Sequence, residues 1–563
     1  MKATKVLDLI LVMILTVGSN GVARATDKTL EPNAEPLITT LPVFPGAEGF
    51  GTATPAGSGR HLSTPQTTVY KVTNLNSSGA GSLKDCIVAA RPRVCIFEVS
   101  GTIVLSEDIT IRQPYITIAG QTAPSPGITI RGAGLRISTH DVLVQHLRIR
   151  VGDNPVGPDP DNRDGIGVEG TSGVYNIVID HCSVSWAIDG NVDLWAEGVS
   201  DVTISNSIIS EGLNDSLHPK GAHSTGVLIG RHVKRVSLHH SLLAHNYFRN
   251  PAAQADTVTE LVNNVFYNWG SWGHTIFSDG SGLTTPLFAN VRGNYYQRGV
   301  DSQDHQPIEV ASNLSPESKV FVEGNIGPGR ESNAGDDWNL VLGNAEIYRS
   351  FTPVGTPAVS TVIPADEAYH DVLKYAGARP ADRDTVDKRI VQAVRTGTGQ
   401  IINCVNPGSG RCSKNAGGWP ALAQNRHILT IPINPNGDAD GDGYTNLEEW
   451  LHAFSTEVDG TPRLSLYGTP RDRAIHLTWT LNETLPVTGT WQIAYNGLTG
   501  NPLSPITDIT NATRAYSLAG LTNYTWYTVT LEARLDSKPI LSDTVTVMPT
   551  DIYHYLPIML QYY

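Results

Sequence analysis

A short pattern recurs along the chain and limits what it can fold into. It occurs in "VLVQHLRIR", "NIVIDHCSVSW", "DVTISNSIIS", "RVSLHHSLLAHN", "TELVNNVFYNW" and "LFANVRGNYY". Aliphatic residues lead into His or Asn, and apolar residues follow. The register residues are His146, His181, Asn206, His240, Asn264, Asn294 and Asn325, separated by 35, 25, 34, 24, 30 and 31 residues. In the last units the Asn comes one residue later after its aliphatic neighbour. A fixed unit with insertions of variable length is the mark of a solenoid. Strands at this spacing, with no amphipathic helices between them, predict a right-handed parallel β-helix whose coils bury inward side chains against one another. A ladder of Asn and His is expected at one bend. The variable loops should leave on one side, where a groove can form. A β-sandwich would need hairpins with short turns, and the long returns do not fit it.

The rest of the composition agrees. With 54 Gly and 35 Pro the chain is turn-rich. Lys2 and Lys5 precede the apolar run 9–15, and Ala23-Arg24-Ala25 is a cleavage signature, so residues 1–25 read as a signal peptide and the protein as secreted, extracellular or cell-surface associated. The run is too short to span a bilayer, and no transmembrane segment is expected after its removal. Cleavage takes away Lys2, Lys5, Arg24 and Asp8 and moves the formal net charge from −14 to −16. So acidic a protein is a poor partner for nucleic acid. It is no obvious partner for an acidic polymer either, unless cations bridge the two. Export permits disulfides, and Cys86–Cys95 and Cys404–Cys412 read as small staples, with Cys182 a buried free thiol. No CxxC motif points to zinc.

Carboxylates gather in "NRDGIGV" and "IDHCSVSWAIDGNVD", which supply Asp164, Asp189 and Asp193. Asp180 and His181, in the second stretch, read as structural members of the bend. These stretches resemble the pectate lyases of polysaccharide lyase family 1. The resemblance covers residues 42–430 and rests also on "FPGAEGFG" (44–51), "GSLKDCI" (81–87), "VSGTIVL" (99–105), "ITIAGQTAPSPGITI" (116–130), "HHSLLAHNYFRNP" (239–251) and "NNVFYNWG" (263–270). It implies that Asp164, Asp189 and Asp193 are calcium ligands and that Arg249 of "HNYFRNP" is the catalytic base. Lys220 would be a second catalytic cation on the substrate carboxylate, with His223 a rival for that substrate contact. The chemistry is consistent. Elimination removes the proton on C5 of a galacturonate, and a metal on the adjacent carboxylate withdraws charge. Calcium takes six to eight oxygen ligands. The chain departs from the family at Gly190, where an acidic residue is usual nearby, and at Ala252, Ala253 and Gln254, where a basic one is. Trp186, Trp195 and Trp269 could stack on sugars, although coil packing suits at least two of them better.

Beyond the repeat, "DADGDGYTNLEEW" places Asp438, Asp440, Asp442, Gly443, Tyr444, Asn446 and Glu449 at positions 1, 3, 5, 6, 7, 9 and 12 of an EF-hand loop. "RHILTIPIN" before it reads as a strand, so residues 431–455 resemble half an EF-hand of the dockerin-like sort, a structural calcium clip. Alternating strands over 463–549 predict a β-sandwich. There "LTNYTWYTVTLEA" resembles the tyrosine-corner region of fibronectin type III domains, with Tyr527 at the corner. Residues 550–563 form an apolar tail. The fold class expected is therefore all-β, a parallel β-helix, a small calcium loop and a β-sandwich.

The function this implies is a secreted, calcium-dependent lyase, acting as a monomer on de-esterified homogalacturonan (polygalacturonate). The alternatives are a pectin lyase or a hydrolase on the same fold, or a non-catalytic β-helix that binds polysaccharide or mediates adhesion. A hydrolase needs a pair of carboxyl groups as acid and base. In that case Arg249 would be incidental.

Overall fold

Between residues 68 and 350 the chain winds through three parallel sheets of eleven, nine and eight strands. This computed structural model describes residues 41–270, 275–278, 285–343, 345–408, 410–460, 464–481, 488–497, 505–535 and 538–551. The expected signal peptide and the tail beyond residue 551 lie outside them. Among the described residues no helix is long and apolar enough to cross a membrane.

One turn of the solenoid shows the plan. Ile177–Asp180 lies in the first sheet, Ser183–Ser185 in the third and Gly190–Trp195 in the second; Val202–Ser205 then re-enters the first. Side chains alternate across each strand. One inward column runs through Cys95, Ile118, Val144, Ile179, Ile204, Leu238, Leu261, Val291 and Val322 on successive coils. All are buried in one core. Burying each aliphatic side chain is worth roughly 1.5–3 kcal/mol. A one-residue slip would turn the whole column outward, so the pattern fixes the register.

From Val142 to Arg292 the bend from first to third sheet uses one or two residues, and it separates the expected ladder into two columns. His146, His181, Asn206, His240 and Asn263 take positive φ of 46–56°, followed by Gly293 and Gly324 at 62° and 68°. Asn and His tolerate this left-handed region better than most residues. Asn264, Asn294 and Asn325 stand one residue further on, inside the coil. The Asn264 amide donates to Asn294 Oδ1 at 3.0 Å, and that of Asn294 to Asn325 Oδ1 at 2.8 Å. Ser207 and Ser241 continue this inner column. The late Asn in the last units is thus a different position, not a shifted one.

The outer faces are covered by the rest of the chain. The segment after residue 41 lies on the first sheet, where Val43 and Ala56 pack on Leu143 and Val178. Gly51 is needed there, because a Cβ would come 2.3 Å from Ile177 O. Helices Ala365–Tyr375 and Thr385–Thr396 cover the third sheet. The molecule is therefore mostly β with a few helices. Helix Asn446–Asp459 packs Leu447 and Leu451 on Val94, Ile96 and Ala119.

Asp180 and His181 sit in a hydrogen-bonded network at the bend, and with His146 they form a group that could also hold a metal ion. Asp180 accepts from Gln145, Ser205 and Asn206. Burial lowers the pKa of His181, but Asp180 and Asp459 outweigh it and raise it to about 9. The imidazolium so formed also ties the end of helix Asn446–Asp459 to the solenoid, at 3.4 Å from Asp459.

Two expectations fail here. Cys86–Cys95 is a disulfide, but Cys404 and Cys412 are free thiols, like Cys182. The Cys404 thiol is turned toward the carbonyls of Asn406 and Lys414, at 3.4 and 3.9 Å. Residues 426–434 form no strand. They cross the first sheet obliquely, with a single bridge from Arg426 to Val99, and the Leu429 N–H is taken by the Glu98 carboxylate. Two antiparallel sheets, of three and four strands, follow from Leu464. The Tyr527 hydroxyl there accepts from the Thr522 N–H at 3.1 Å.

Candidate active site

The turns from third to second sheet are the variable ones, and they deliver the site. The loop ending before Ile166 brings Asp161 and Asp164, the next coil brings Asp189, the next Lys220 and His223, and the next Arg249. Coils stack about 4.8 Å apart, so residues 25–60 apart in sequence become neighbours. Together with Arg136, Glu169, Asp193 and Trp195 from the second sheet, they line one cleft of about 300 Å³.

Local interactions aim each carboxylate. Arg163 folds its loop by donating to Pro158 O at 2.9 Å and Asn154 O at 2.8 Å. Asp164 accepts from the Gly190 N–H at 2.9 Å and pairs with Arg136 at 3.0 Å. The Asp189 N–H donates to Arg163 O, and its carboxylate meets His223 Nε2 at 2.8 Å. Gly190 has a clear role: a Cβ there would come 2.0 Å from Asp193 Oδ1. A side chain at 190 would displace the Asp193 carboxylate.

Asp164, Asp189 and Asp193 each offer an oxygen, all within 4.8 Å of one another, and could hold a metal ion. Their electrostatics favour one. Burial raises Asp164, Arg136 partly offsets this and Asp189 adds to it, leaving a pKa of about 6. Burial and then Asp164 push Asp193 well above the usual range, against the pull of Arg249. Asp193 Oδ1 is buried without a hydrogen-bond partner. Such an atom costs free energy until something pairs with it. The cleft is lined by five carboxylates against three Lys and Arg side chains.

Arg249 stands across from this group. Its guanidinium lies 3.8 Å from Asp193 and over the Phe248 ring, 5.0 Å from the centroid. Its backbone is left-handed, with φ 59°, which for Arg stores strain. Lys220, exposed at the rim of the cleft, pairs with Asp161 at 2.8 Å. Ala252 and Gln254 are in a strand beside the cleft, and Gln254 accepts from the Arg231 N–H. Trp186 and Trp269 are buried, and Trp195 is 45% exposed.

Sequence reasoning missed Arg136, Asp161, Glu169 and His218. His218 stacks on His223 at 3.8 Å, and its Nε2 lies 3.3 Å from Asp161. The cluster "LHPKGAH" was the available signal for it. At the other expected metal site, Asp438, Asp440 and Asp442 come together on the surface. Asp438 caps the N–H groups of Gly441 and Gly443, Tyr444 is buried under Arg60, and Asn446 accepts from the Ala439 N–H. Burial and the three aspartates raise the pKa of Glu449.

The chain is similar to known proteins over most of its length. The chain is 33% identical over 434 residues to the "Probable pectate lyase C" of Neosartorya fischeri, covering 74% of this chain and 94% of that one. It is 33% identical over 440 residues to the protein of that name from Aspergillus oryzae, covering 74% and 95%. A solved structure of the thermostable pectate lyase PL 47 aligns with 59% of this chain and 96% of its own, at 16% identity and a TM-score of 0.40. No protein-family model matches. These relatives place the chain among the polysaccharide lyases. The chain belongs to the pectate lyase family.

Proposed function

We propose that the protein is a secreted, calcium-dependent pectate lyase that cleaves de-esterified homogalacturonan by β-elimination, with Arg249 as base. The observation that carries this is the convergence of Asp164, Asp189 and Asp193, under-neutralised and partly orphaned, on the face that Arg249 overlooks. The relatives' names point to the same substrate class. All three donors are carboxylates, which suits a hard cation such as calcium. Calcium held by them would bind the substrate carboxylate and acidify the C5 proton.

The protein's own groups do the rest. Arg249 faces the reacting carbon and takes the proton or steadies the developing charge through its fixed fork of donors. Lys220 leaves Asp161 to pair with a second uronate. Arg136, held by Asp108 and Glu169 as well as Asp164, keeps the Asp164 carboxylate in place. The exposed loop 438–449 holds a separate, structural calcium through Asp438, Asp440, Asp442, Asn446, Glu449 and the Tyr444 carbonyl. It lies beyond the cleft, so its loading acts on stability.

The test is to mix the protein with polygalacturonate and calcium and follow the ultraviolet absorbance of the unsaturated product. Absorbance should rise, stop on chelation and resume when calcium is restored. Full activity in chelator overturns the calcium role. Reducing ends without absorbance would mean hydrolysis, and binding without cleavage would mean a non-catalytic module.

A further inference from the structure

Trp195 is in an unusual position for a tryptophan. It ends the strand Gly190–Trp195, two residues past Asp193, and strand alternation puts both on the outer face. The intervening Leu194 is buried in the core, whereas Trp195 is 45% exposed and lines the cleft. Its six-membered ring lies against Gly230 on the next coil, where a Cβ would come 2.7 Å from Cε3. That glycine lets the indole lie close to the sheet and show its other side to the cleft. Glu169 is its register partner on the preceding coil.

We infer that Trp195 is a sugar-binding platform that seats a galacto-configured uronate ring of the substrate chain next to the carboxylate cluster. The inference rests on the reading of this cleft as a polygalacturonate site. Ligand clefts combine aromatic side chains with a few placed polar groups, and Trp195 is the apolar aromatic side chain among the residues lining this cleft. A galacto-configured pyranose has one face of C–H groups around C3, C4 and C5, which packs flat on an indole. The contact is neutral, so it holds a uronate beside Glu169 without adding charge repulsion.

The experiment measures elimination of polygalacturonate in saturating calcium for wild type, Trp195→Ala and Trp195→Phe, with a melting curve for each. Trp195→Ala should raise KM about tenfold, the size expected for loss of one aromatic stack. Its kcat should stay within about twofold, because the ring touches no reacting atom. Trp195→Phe should recover most of the affinity. An unchanged KM in Trp195→Ala, or an equal fall in kcat with KM constant, would overturn the platform while leaving the lyase reading intact. A wild type that produces no unsaturated product would instead sink the lyase reading itself.

Discussion

The solenoid holds two clusters of buried carboxylates with opposite fates. Asp384 and Asp387, at the start of helix Thr385–Thr396, face Arg150 and Arg148 on the third sheet. Arg150 reaches Asp384 at 2.5 Å and Asp387 at 2.8 Å, and Ser183 donates to Asp387 at 2.7 Å. Burial alone would raise Asp384, but Arg150 and Arg148 hold it down at about 2. In the cleft five carboxylates share three Lys and Arg side chains, and Asp164 stands at about 6. Burial is common to both clusters, so what separates them is the supply of positive charge. The first cluster is neutralised by the protein and fastens a helix. The second is left short of charge, and under the proposed function an ion from solution would supply what is missing.

Each side of this contrast can be broken separately. The largest effect should come from Arg249→Lys, which keeps the charge and loses the planar fork. Its elimination rate should fall on the order of a hundredfold or more, with substrate binding nearly unchanged. A wild-type rate and pH profile would make Arg249 a bystander. Next is Asp387→Ala, which strands Arg148 and Arg150 in the interior. Removing one partner of a buried ion pair typically costs about 3–5 kcal/mol, seen in denaturant melts. The calcium concentration needed for half-maximal rate should not move, and if it did the two clusters would not be independent.

Asp193→Ala should do the reverse. It removes a carboxylate with an unpaired oxygen, so the ion-free protein should melt no lower than wild type. The calcium needed for half-maximal rate should rise about tenfold. An unchanged calcium curve would remove Asp193 from the ligand set. The smallest effect concerns pH. Asp384 has a lowered pKa, so its contribution is present above the ordinary carboxylate value near 4 and is lost as pH falls through about 2. Asp164 is raised, so the folded state without metal binds the extra proton, and stability falls as pH rises from about 4 to 6. Melting of the calcium-free protein against pH should show a shallower second slope in Asp164→Asn, with the shares of the other raised carboxyls, Asp193 and Asp459, remaining, and should keep the first. A second slope as steep as in wild type would mean that Asp164 does not titrate as its surroundings dictate.

Much of this was legible in the sequence. The solenoid showed because an inward column every coil needs an aliphatic residue at a fixed place beside a bend. Asp164, Asp189, Asp193 and Arg249 showed because their residue types and local motifs are distinctive. The two columns at the bend did not separate, since Asn satisfies both the left-handed bend at Asn263 and the inner ladder at Asn264. Gly190 read as a missing ligand, yet it makes room for Asp193.

By itself, then, the sequence determined the winding of the chain and several of the groups in the cleft, Asp164, Asp189, Asp193, Lys220, His223 and Arg249 among them. Periodicity and residue chemistry are local properties, and each coil repeats them. Only the tertiary structure decided which charges are paired. Arg136 meets Asp164 from the preceding coil, Lys220 meets Asp161, and Arg150 meets Asp384 across 234 residues. How closely the Trp195 ring lies on the sheet depends in the same way on Gly230, one coil away. Coulomb energy and burial depend on distance in space, and the loops that set those distances are the variable part of the repeat.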